Sequence, residues 1–351
     1  MVAEVAVAAV VFGPDRARHG SHSAAPGRTA LVLGAGGVLG AAWMTGALAC
    51  LADRLPGEIG DVDLIVGTSA GSVLAAALRC RAPFEEIAAW QRGQARGALT
   101  ESVALAAQDG PLPPLPRIRF GSVPLARAAL LTPHRVPPWV AASAWLPHGR
   151  GRHSALRSLV TGLHQRAGLD QAAGPPAAWA DGRTWIAAVD YDSGQRVLFG
   201  REGAPHALLP EAVVASCSIP GWYEPAVIGG RRYVDGGVRS MTSLDVLVGT
   251  DVQEVYVLAP MASTEPDRPL QPHLQMERRL RQGLTTVLVR QARALAKRGK
   301  RVTVLTPGPR DLAAMGINLM DARRRQDVLD LSFRTSADSL ARLDGIASRA
   351  A

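Results

Sequence analysis

Ser69 stands between two glycines in the sequence Gly67-Thr68-Ser69-Ala70-Gly71. An apolar run precedes this sequence, and an alanine-rich run of helical character follows it at once. A serine at a glycine-flanked turn from strand to helix is typical of a nucleophile elbow, which presents the hydroxyl at the end of a sheet. An unaided serine is a weak nucleophile, so acyl transfer would also need a base and donors for a negative charge. A plain strand-to-helix turn would show the same five residues.

A glycine-rich loop earlier in the chain offers such donors. The sequence LGAGGVLG places Gly34, Gly36, Gly37 and Gly40 after an apolar run and before a predicted helix. Consecutive glycines let backbone N–H groups turn outward, and the N-terminus of the following helix favours an anion. The amides around Gly36, Gly37 and Val38 are therefore the candidate oxyanion hole.

The same loop also fits a loose dinucleotide-binding pattern of glycines. A nucleotide-binding unit of that kind would continue into a second strand that ends in an acidic residue about 20 positions on. Here Asp53 falls inside the predicted helix, and the next predicted strand runs straight into the Ser69 turn. A nucleotide-binding oxidoreductase is therefore disfavoured.

A candidate base follows a short predicted strand in the last part of the chain. Asp235 precedes Gly236 and Gly237, which form a turn that lets the carboxylate face inward. A carboxyl group has an ordinary pKa near 4, and burial close to a serine would raise that pKa and strengthen the base. Asp-Gly pairs also cap turns without any catalytic role. Taken in isolation, Asp235 fits that structural role better.

Together and in this order, the three motifs resemble the patatin-like phospholipase family. That family has a glycine-rich oxyanion loop after the first strand, a G-x-S-x-G serine, and a later D-G-[GA] aspartate, and the serine and aspartate work as a dyad without histidine. The stretches IAAVDYDSGQRVLF and ASCSIPGWYEPAVIGGRRYVDGG also resemble the family, so the resemblance covers about residues 30–78 and 185–238. It implies a nucleophile at Ser69, a base at Asp235, oxyanion donors in the loop, and no metal or cofactor.

The activity that the resemblance implies is serine hydrolysis of lipid or other carboxylic esters through an acyl-enzyme. Two residues depart from the family pattern: Ala35 stands where a glycine is usual, and Leu39 where an arginine or lysine is common. These departures motivate one alternative, a weakly active lipid-binding protein of the same fold. Acyl transfer to an acceptor other than water is a second alternative. The related acyl-carrier-protein transacylases, however, usually have histidine where this chain has Thr68.

A histidine-based triad is a further alternative for the catalytic machinery. In α/β-hydrolases the histidine follows the acid along the chain. After Asp235 the one histidine is His273, beside Pro272. A lone histidine in such a context is more often a surface residue, so the dyad is favoured.

The order of predicted elements indicates an α/β fold of three layers, with a central, mostly parallel sheet between helices. We predict strands at 29–33, 63–66, 185–189, 196–199, 252–258 and 301–305, and helices at 41–54, 69–78, 210–216, 274–297 and 322–343. We expect a single hydrolase domain over residues 29–345, with a disordered or irregular leader at 1–28, a cap or insertion at 82–180 and a short tail at 346–351.

Composition narrows the class of protein. The 351 residues are 47% hydrophobic, and a formal charge of +9 comes almost wholly from arginine. No nucleic-acid motif accompanies this charge, so we expect no nucleic-acid partner. The sequence has no secretory-signal pattern and no apolar run of roughly 18 residues, and its three cysteines form no C-x-x-C pair. We therefore expect a cytoplasmic protein with a lipid or ester substrate, and leave peripheral contact with anionic membrane open.

The predicted cap combines tryptophans with cations. Trp139 and Trp145 share it with the sequence PLPPLPRIRF and with Arg117, Arg119, Arg127 and Arg135. That mixture suits docking on a lipid surface or lining an acyl-chain groove, and it suits a packed cap whose arginines face water equally well. The arginines of the predicted helix at 274–297 fit a solvated face better than a lipid patch.

Overall fold

The computed structural model describes residues 8–13, 27–94, 115–132, 134, 136–168, 179 and 183–350. Much of the predicted leader, parts of the predicted cap, Arg135 and the last residue lie outside this described chain. The chain divides into two compact units, one comprising Met1–Ile65 and Leu244–Ala351 and the other Val66–Ser243. The single domain expected over residues 29–345 stays a prediction.

The strands of the described chain are numbered in sequence order. They are β1 (Ala9–Phe12), β2 (Thr29–Leu33), β3 (Leu64–Thr68), β4 (Arg117–Phe120), β5 (Pro147–His148), β6 (Arg183–Asp190), β7 (Arg196–Phe199), β8 (Ala226–Ile228), β9 (Arg231–Asp235), β10 (Glu254–Leu258) and β11 (Arg301–Leu305).

The helices follow the same convention. They are α1 (Gly37–Leu51), α2 (Ala70–Arg79), α3 (Phe84–Gln91), α4 (Val123–Leu131), α5 (Pro138–Ser143), α6 (Ser154–Arg166), α7 (Leu209–Cys217), α8 (Pro272–Ala296), α9 (Pro309–Met315) and α10 (Arg325–Ala350). Short 3-10 turns lie at Ala52–Arg54, Ile59–Asp61, Gly236–Val238, Leu244–Gly249 and Ala322–Arg324.

In the first unit, four strands lie in the order β1-β11-β10-β2. Strand β10 pairs in parallel with both β11 and β2, and every residue of β2 is buried. Parallel strands covered on both faces need continuous apolar runs, which TALVL and EVYVL supply. Strand β1 pairs with β11 in the antiparallel direction.

In the second unit, β6 pairs in the antiparallel direction with β7 and β9, and β9 pairs with β8. The predicted hairpin at residues 185–199 is confirmed, because β6 and β7 are joined by a turn in which the Asp190 carboxylate accepts the N–H of Ser193 at 2.9 Å. The register of β6 and β9 sets Ala188 opposite Asp235. The predicted α/β class is confirmed: helices flank a mixed, mostly parallel sheet to which hairpins add antiparallel pairs.

Two boundary predictions are corrected by the structure. Residues Ala9–Phe12 of the expected irregular leader form β1, because the sequence AVVF, with two β-branched valines and a phenylalanine, finds a partner strand in β11, almost 300 residues later. Helix α10 continues through Ala350, so the expected tail at 346–351 is helical up to that residue.

The described part of the predicted cap is packed on its inner side. Leu125 of α4 and Val140 of α5 are fully buried in one cluster with Val189, Tyr191 and Val234. The Tyr191 hydroxyl donates to the Ser143 carbonyl at 2.8 Å, which fixes α5 to the end of the β6 hairpin. Residues 123–143 therefore have one apolar face committed to a core.

Candidate active site

Ser69 occupies the single residue between β3 and α2. Its backbone has φ 52° and ψ −121°, a left-handed conformation that costs a residue with a side chain of order 1–3 kcal/mol. A Cβ on Gly67 would lie 2.7 Å from the Ser72 Cα, so a glycine is required where α2 turns back over the strand. The strained serine and the tight turn are the geometry of a nucleophile elbow.

Three hydrogen bonds hold the Ser69 backbone in that conformation. Its N–H donates to the Ser216 hydroxyl at 2.9 Å, and its carbonyl accepts from the Ser72 N–H and hydroxyl at 2.8 and 2.6 Å. The Ser216 hydroxyl in turn donates to the Ala187 carbonyl at 2.6 Å. Ser216 is fully buried, so it links the elbow to the middle of β6 through α7.

Asp235 ends β9 and caps the 3-10 turn that follows it. Its N–H donates to the Ser218 carbonyl at 2.9 Å, and its Oδ1 accepts the Gly237 N–H at 2.7 Å. A Cβ on Gly236 would collide with the Ala187 carbonyl oxygen, which explains the glycine after the aspartate. The side chain is 5% exposed, and the Ser69 side chain acts on it, lowering the pKa of its carboxyl group.

The second unit therefore brings together the serine and the aspartate that the sequence singled out. Burial raises the pKa of Asp235 to about 6, while hydrogen bonds from Ser69 and Gly237 oppose the rise. Among the described residues, no cation or histidine contributes to this pKa. A carboxylate in this setting is a stronger base than one in water and is still largely ionised at neutral pH.

A cysteine also lies beside these two residues. The Cys217 sulfur is 3.7 Å from the Ser72 hydroxyl oxygen. Burial raises the pKa of the Cys217 thiol far above its usual range, and the Asp235 carboxylate raises it further. The thiolate is the reactive form of cysteine, so this neutral thiol is no rival to Ser69 as the nucleophile.

The histidines take other positions. His153 places its Nε2 3.0 Å from the Cys217 carbonyl oxygen and stacks on Tyr223 with ring centroids 3.8 Å apart. His273, the sequence candidate for a triad, is the second residue of α8 and belongs to the first unit, whereas Ser69 and Asp235 belong to the second.

The glycine-rich loop joins β2 to α1 in the first unit. A Cβ on Gly36 would lie 2.6 Å from Pro260 Cγ, and Gly37 has φ +62°, so both positions favour glycine. Helix α1 begins at Gly37 and not at Ala41 as predicted, because the Leu39 N–H finds an acceptor in the Leu319 carbonyl at 2.9 Å.

The first backbone N–H groups of α1 differ in whether they have a hydrogen-bond acceptor. The Gly40 N–H donates to the Gly36 carbonyl at 2.9 Å, whereas those of Gly37 and Val38 meet no acceptor within the described chain. Such amides at a helix N-terminus are available to an anion and carry its partial positive charge. The Leu39 side chain is fully buried, so it presents neither charge nor polar group at this loop.

A sequence model of patatin-like phospholipases matches residues 31–248. The chain belongs to the patatin-like phospholipase family. The match contains all three motifs, from the loop at Gly36 through Ser69 to Asp235.

Two solved structures have a limited likeness to the chain. VipD from Legionella pneumophila has 13% sequence identity and a TM-score of 0.37, over 69% of this patatin-like chain and 51% of VipD. Full-length ExoU from the type III secretion system of Pseudomonas aeruginosa, in complex with full-length SpcU, has 15% identity and a TM-score of 0.30, over 87% of this chain and 60% of that one. The chain thus spans about half to three fifths of these relatives. No curated protein matches it.

Sequence reasoning missed one side chain and one backbone amide at the candidate active site. One is Ser216, whose role depends on α7 lying beside the elbow. The other is the Ala70 N–H, which opens α2 directly after Ser69 and meets no acceptor in the part of the chain that the structure describes. The amide that follows a nucleophile is a common oxyanion donor, so the elbow motif itself carried that signal.

Proposed function

We propose that this protein is a serine acyl hydrolase that cleaves lipid or other carboxylic esters, with Ser69 as the nucleophile and Asp235 as the general base. The observation that carries the proposal is a buried carboxylate beside the Ser69 side chain, whose pKa burial raises and Ser69 lowers. The strained elbow conformation of Ser69 and the family match over residues 31–248 support it.

The reaction begins when Asp235 accepts the Ser69 hydroxyl proton as Oγ attacks the ester carbonyl carbon. The carbonyl double bond of the ester becomes a single bond, and its oxygen becomes the oxyanion of a tetrahedral intermediate. When this intermediate collapses, the bond to the leaving alcohol breaks and Asp235 returns the proton to that alcohol. Water then enters, gives a proton to Asp235 and attacks the acyl-enzyme. Collapse of the second intermediate releases the carboxylic acid and restores the Ser69 hydroxyl.

Backbone amides supply the electrostatic stabilisation in this proposal. The loop amides of Gly36, Gly37 and Val38 are the donors that the family pattern implies, and two of them have no acceptor within the described chain. The Ala70 amide is a further donor, one residue from the nucleophile. Removal of one such donor typically costs a factor of about 10² to 10³ in rate. With the neutral Leu39 in the loop, the oxyanion would depend on these N–H dipoles alone.

The proposed partner of this enzyme is lipid, and its proposed location is the cytoplasm. All three cysteines, Cys50, Cys80 and Cys217, are free thiols. Free thiols are typical of a reducing compartment, so a cytoplasmic location remains part of the proposal. In the described chain no helix combines the length and hydropathy that a membrane span requires.

A fluorophosphonate probe tests the nucleophile directly. We expect covalent labelling at Ser69, loss of labelling in Ser69→Ala, and unchanged labelling in Ser158→Ala, which alters an exposed serine of α6. The rate of p-nitrophenyl ester hydrolysis should fall by at least a thousandfold in Ser69→Ala and in Asp235→Asn. The control variant Asp53→Asn should hydrolyse the ester at the wild-type rate. A folded wild-type protein that takes no label, or near-normal turnover in Asp235→Asn, would refute the proposal. Release of free fatty acid in the presence of added alcohols distinguishes hydrolysis from acyl transfer.

A further inference from the structure

The outer side of the cap carries large apolar side chains that face solvent. On α4, Leu130 and Leu131 are each 75% exposed, and Val123 is exposed on the same helix. Trp139 at the start of α5 is 60% exposed, and Trp145 just after α5 is 58% exposed. Contiguous exposed apolar groups rimmed by polar residues usually mark a surface that meets a partner or a membrane.

The segments that carry these side chains lie beside one another. The Gly121 N–H donates to the Leu146 carbonyl at 2.9 Å, which brings the start of α4 beside the segment after α5. Gly221 lies against Leu146, since a Cβ on it would stand 3.7 Å from the Leu146 Cβ, and this brings the exposed Trp222 to the same edge. We call this surface the cap face and define it by Val123, Leu130, Leu131, Trp139, Trp145 and Leu146, with Trp222 at its edge.

The cap face is not an unfinished core. Helices α4 and α5 bury Leu125 and Val140 in the cluster with Val189, while Leu130, Leu131 and Trp139 of the same helices are exposed. Each helix therefore has apolar side chains on two sides, and only one side packs against the core of the unit. Packing within the chain does not account for the apolar side chains on the exposed side.

The charged residues in the sequence segment that forms most of the cap face are all positive. From residue 110 to residue 169 the sequence contains no aspartate or glutamate and eight arginines, at 117, 119, 127, 135, 150, 152, 157 and 166. Arg127 is exposed on α4 between Val123 and Leu130, and Arg150 is exposed beyond Leu146. Arg152 is 79% exposed and lies 3.8 Å from Glu224. Asp192, which lies against the start of α4, is paired with Arg232. A net positive rim is complementary to an anionic surface.

We propose that the cap face docks on the surface of an anionic lipid bilayer. Tryptophan rings settle at the depth of the headgroups, leucines reach the acyl chains, and arginines bind lipid phosphates in a bidentate manner. This proposal rests on the proposed function and extends it by naming the surface that meets the lipid. Trp222 at the edge of the cap face lies four residues after Ser218, whose carbonyl binds the Asp235 N–H. The docked surface would therefore adjoin, along the chain, the segment that holds the base.

Vesicle sedimentation tests this directly. The full chain with Ser69→Ala, which leaves the lipid intact, is mixed with vesicles of phosphatidylcholine alone or with 30% phosphatidylglycerol. We expect binding at least tenfold tighter to the anionic vesicles, and weaker binding when salt is raised. The pair Leu131→Ser with Trp139→Ser should reduce anionic binding by more than tenfold, and Arg127→Glu by about fivefold.

Matched changes elsewhere provide the controls. Leu270→Ser with Leu280→Ser removes two leucines that are 90% and 68% exposed, and Arg298→Glu reverses an exposed charge on the turn after α8. These variants should bind vesicles as the parent does. Equal binding to both vesicle types, or normal anionic binding by the cap-face variants, would overturn the proposal. So would a change from dimer to monomer in those variants, because the face would then join two copies of the chain.

A second readout separates this proposal from the proposed function. In the chain with native Ser69, the cap-face variants should hydrolyse a short, water-soluble p-nitrophenyl ester at the parent rate, and hydrolyse lipid in anionic vesicles at least tenfold more slowly. Vesicle binding without any ester hydrolysis would reject the enzyme and keep the docking surface. Hydrolysis of both substrates at the parent rate by the cap-face variants would reject the docking surface and keep the enzyme.

Discussion

The backbone N–H of Ser69 donates to the side-chain oxygen of Ser216 at 2.9 Å, across 147 positions of sequence. The Ser216 hydroxyl donates in turn to the Ala187 carbonyl of β6. Both serines are buried, so this chain of two hydrogen bonds fixes the elbow to the sheet. The backbone of the proposed nucleophile is thus held by a second, fully buried serine.

The first prediction concerns this positioning residue. Ser216→Ala leaves the buried Ser69 N–H without an acceptor, at a cost of about 1–3 kcal/mol. The strained turn can relax, and we expect kcat on a soluble ester to fall by about 10- to 100-fold with little change in KM. Urea unfolding and steady-state kinetics measure the two effects.

Ser218→Ala is the matched control for that prediction. Ser218, the residue after α7, is equally buried, but its hydroxyl donates to the Val214 carbonyl of α7 and not to the elbow. We expect a comparable loss of stability with kcat near that of the wild type. Equal kcat in Ser216→Ala and Ser218→Ala would show that the elbow does not depend on Ser216.

The second prediction concerns the pH dependence of activity. A general base works only when it is ionised, and burial raises the pKa of Asp235 to about 6. The kcat/KM for a soluble ester should therefore level off above pH 7 and fall roughly tenfold per pH unit below about pH 6. Stopped assays from pH 4.5 to 8.5 test it, with Asp53→Asn as the control that keeps the profile. A profile that stays flat down to pH 4.5 would contradict Asp235 as the base.

The third prediction uses the same pKa to address stability. Because the pKa of Asp235 is about 6 in the folded chain and 3.8 ordinarily, folding favours the protonated carboxyl group. Its contribution to the free energy of unfolding is complete below pH 4 and is lost as the pH rises through about 6. Asparagine does not titrate, so its free energy of unfolding keeps no such dependence on pH. Relative to the wild type, the free energy of unfolding of Asp235→Asn should therefore rise by about 2 kcal/mol from pH 4 to pH 8. Urea unfolding at both pH values measures the difference, and a constant difference would contradict the raised pKa.

The fourth prediction tests the strain at the nucleophile. Ser69 has φ 52° and ψ −121°, a region that glycine enters freely and alanine does not. Ser69→Gly and Ser69→Ala both remove the hydroxyl and its hydrogen bond to Asp235, so neither should have ester hydrolysis. They differ in strain, and we expect the glycine variant to be more stable by about 1 kcal/mol. An alanine variant as stable as the glycine variant, by thermal or urea unfolding, would argue against stored strain at the elbow.

The two proposed catalytic residues and the β6 hairpin could be predicted from sequence because they depend on local contacts. Ser69 and Asp235 could be named from sequence because their neighbouring glycines reflect close backbone contacts, such as Gly67 against Ser72, that hold within a few residues. The β6 hairpin was equally local, since Asp190 and Ser193 close its turn themselves.

The parts that sequence reasoning missed depend on distant partners. Strand β1 needs the edge of β11, and the start of α1 at Gly37 needs the Leu319 carbonyl. Glycine has a low intrinsic helix propensity, which pointed to a later start, but the tertiary hydrogen bond outweighs it. Ser216 is one small residue among several in ASCS, and only the packing of α7 selects it for the elbow.

The last prediction concerns the glycine-rich loop of the first unit. A Cβ at Gly37 would lie 3.0 Å from the Met320 sulfur and 3.1 Å from the Leu319 carbonyl, and the residue has φ +62°. Gly37→Ala should therefore cost about 1–2 kcal/mol of stability and shift the first amides of α1. If those amides hold the oxyanion, kcat on a soluble ester should fall by a factor of about 10².

Gly230→Ala separates the effect of strain from the effect on these amides. Gly230 has φ +76°, a Cβ added to it would have no neighbour within 4 Å, and it lies in the turn between β8 and β9. This variant bears a similar backbone penalty but disturbs no neighbour, so its kcat should match that of the wild type. Since Gly37→Ala and Gly230→Ala would be similarly destabilised, a hundredfold gap in kcat between them assigns the loss to the loop amides. A kcat near the wild-type value in Gly37→Ala would remove the loop from the oxyanion hole and leave the Ala70 amide as the donor.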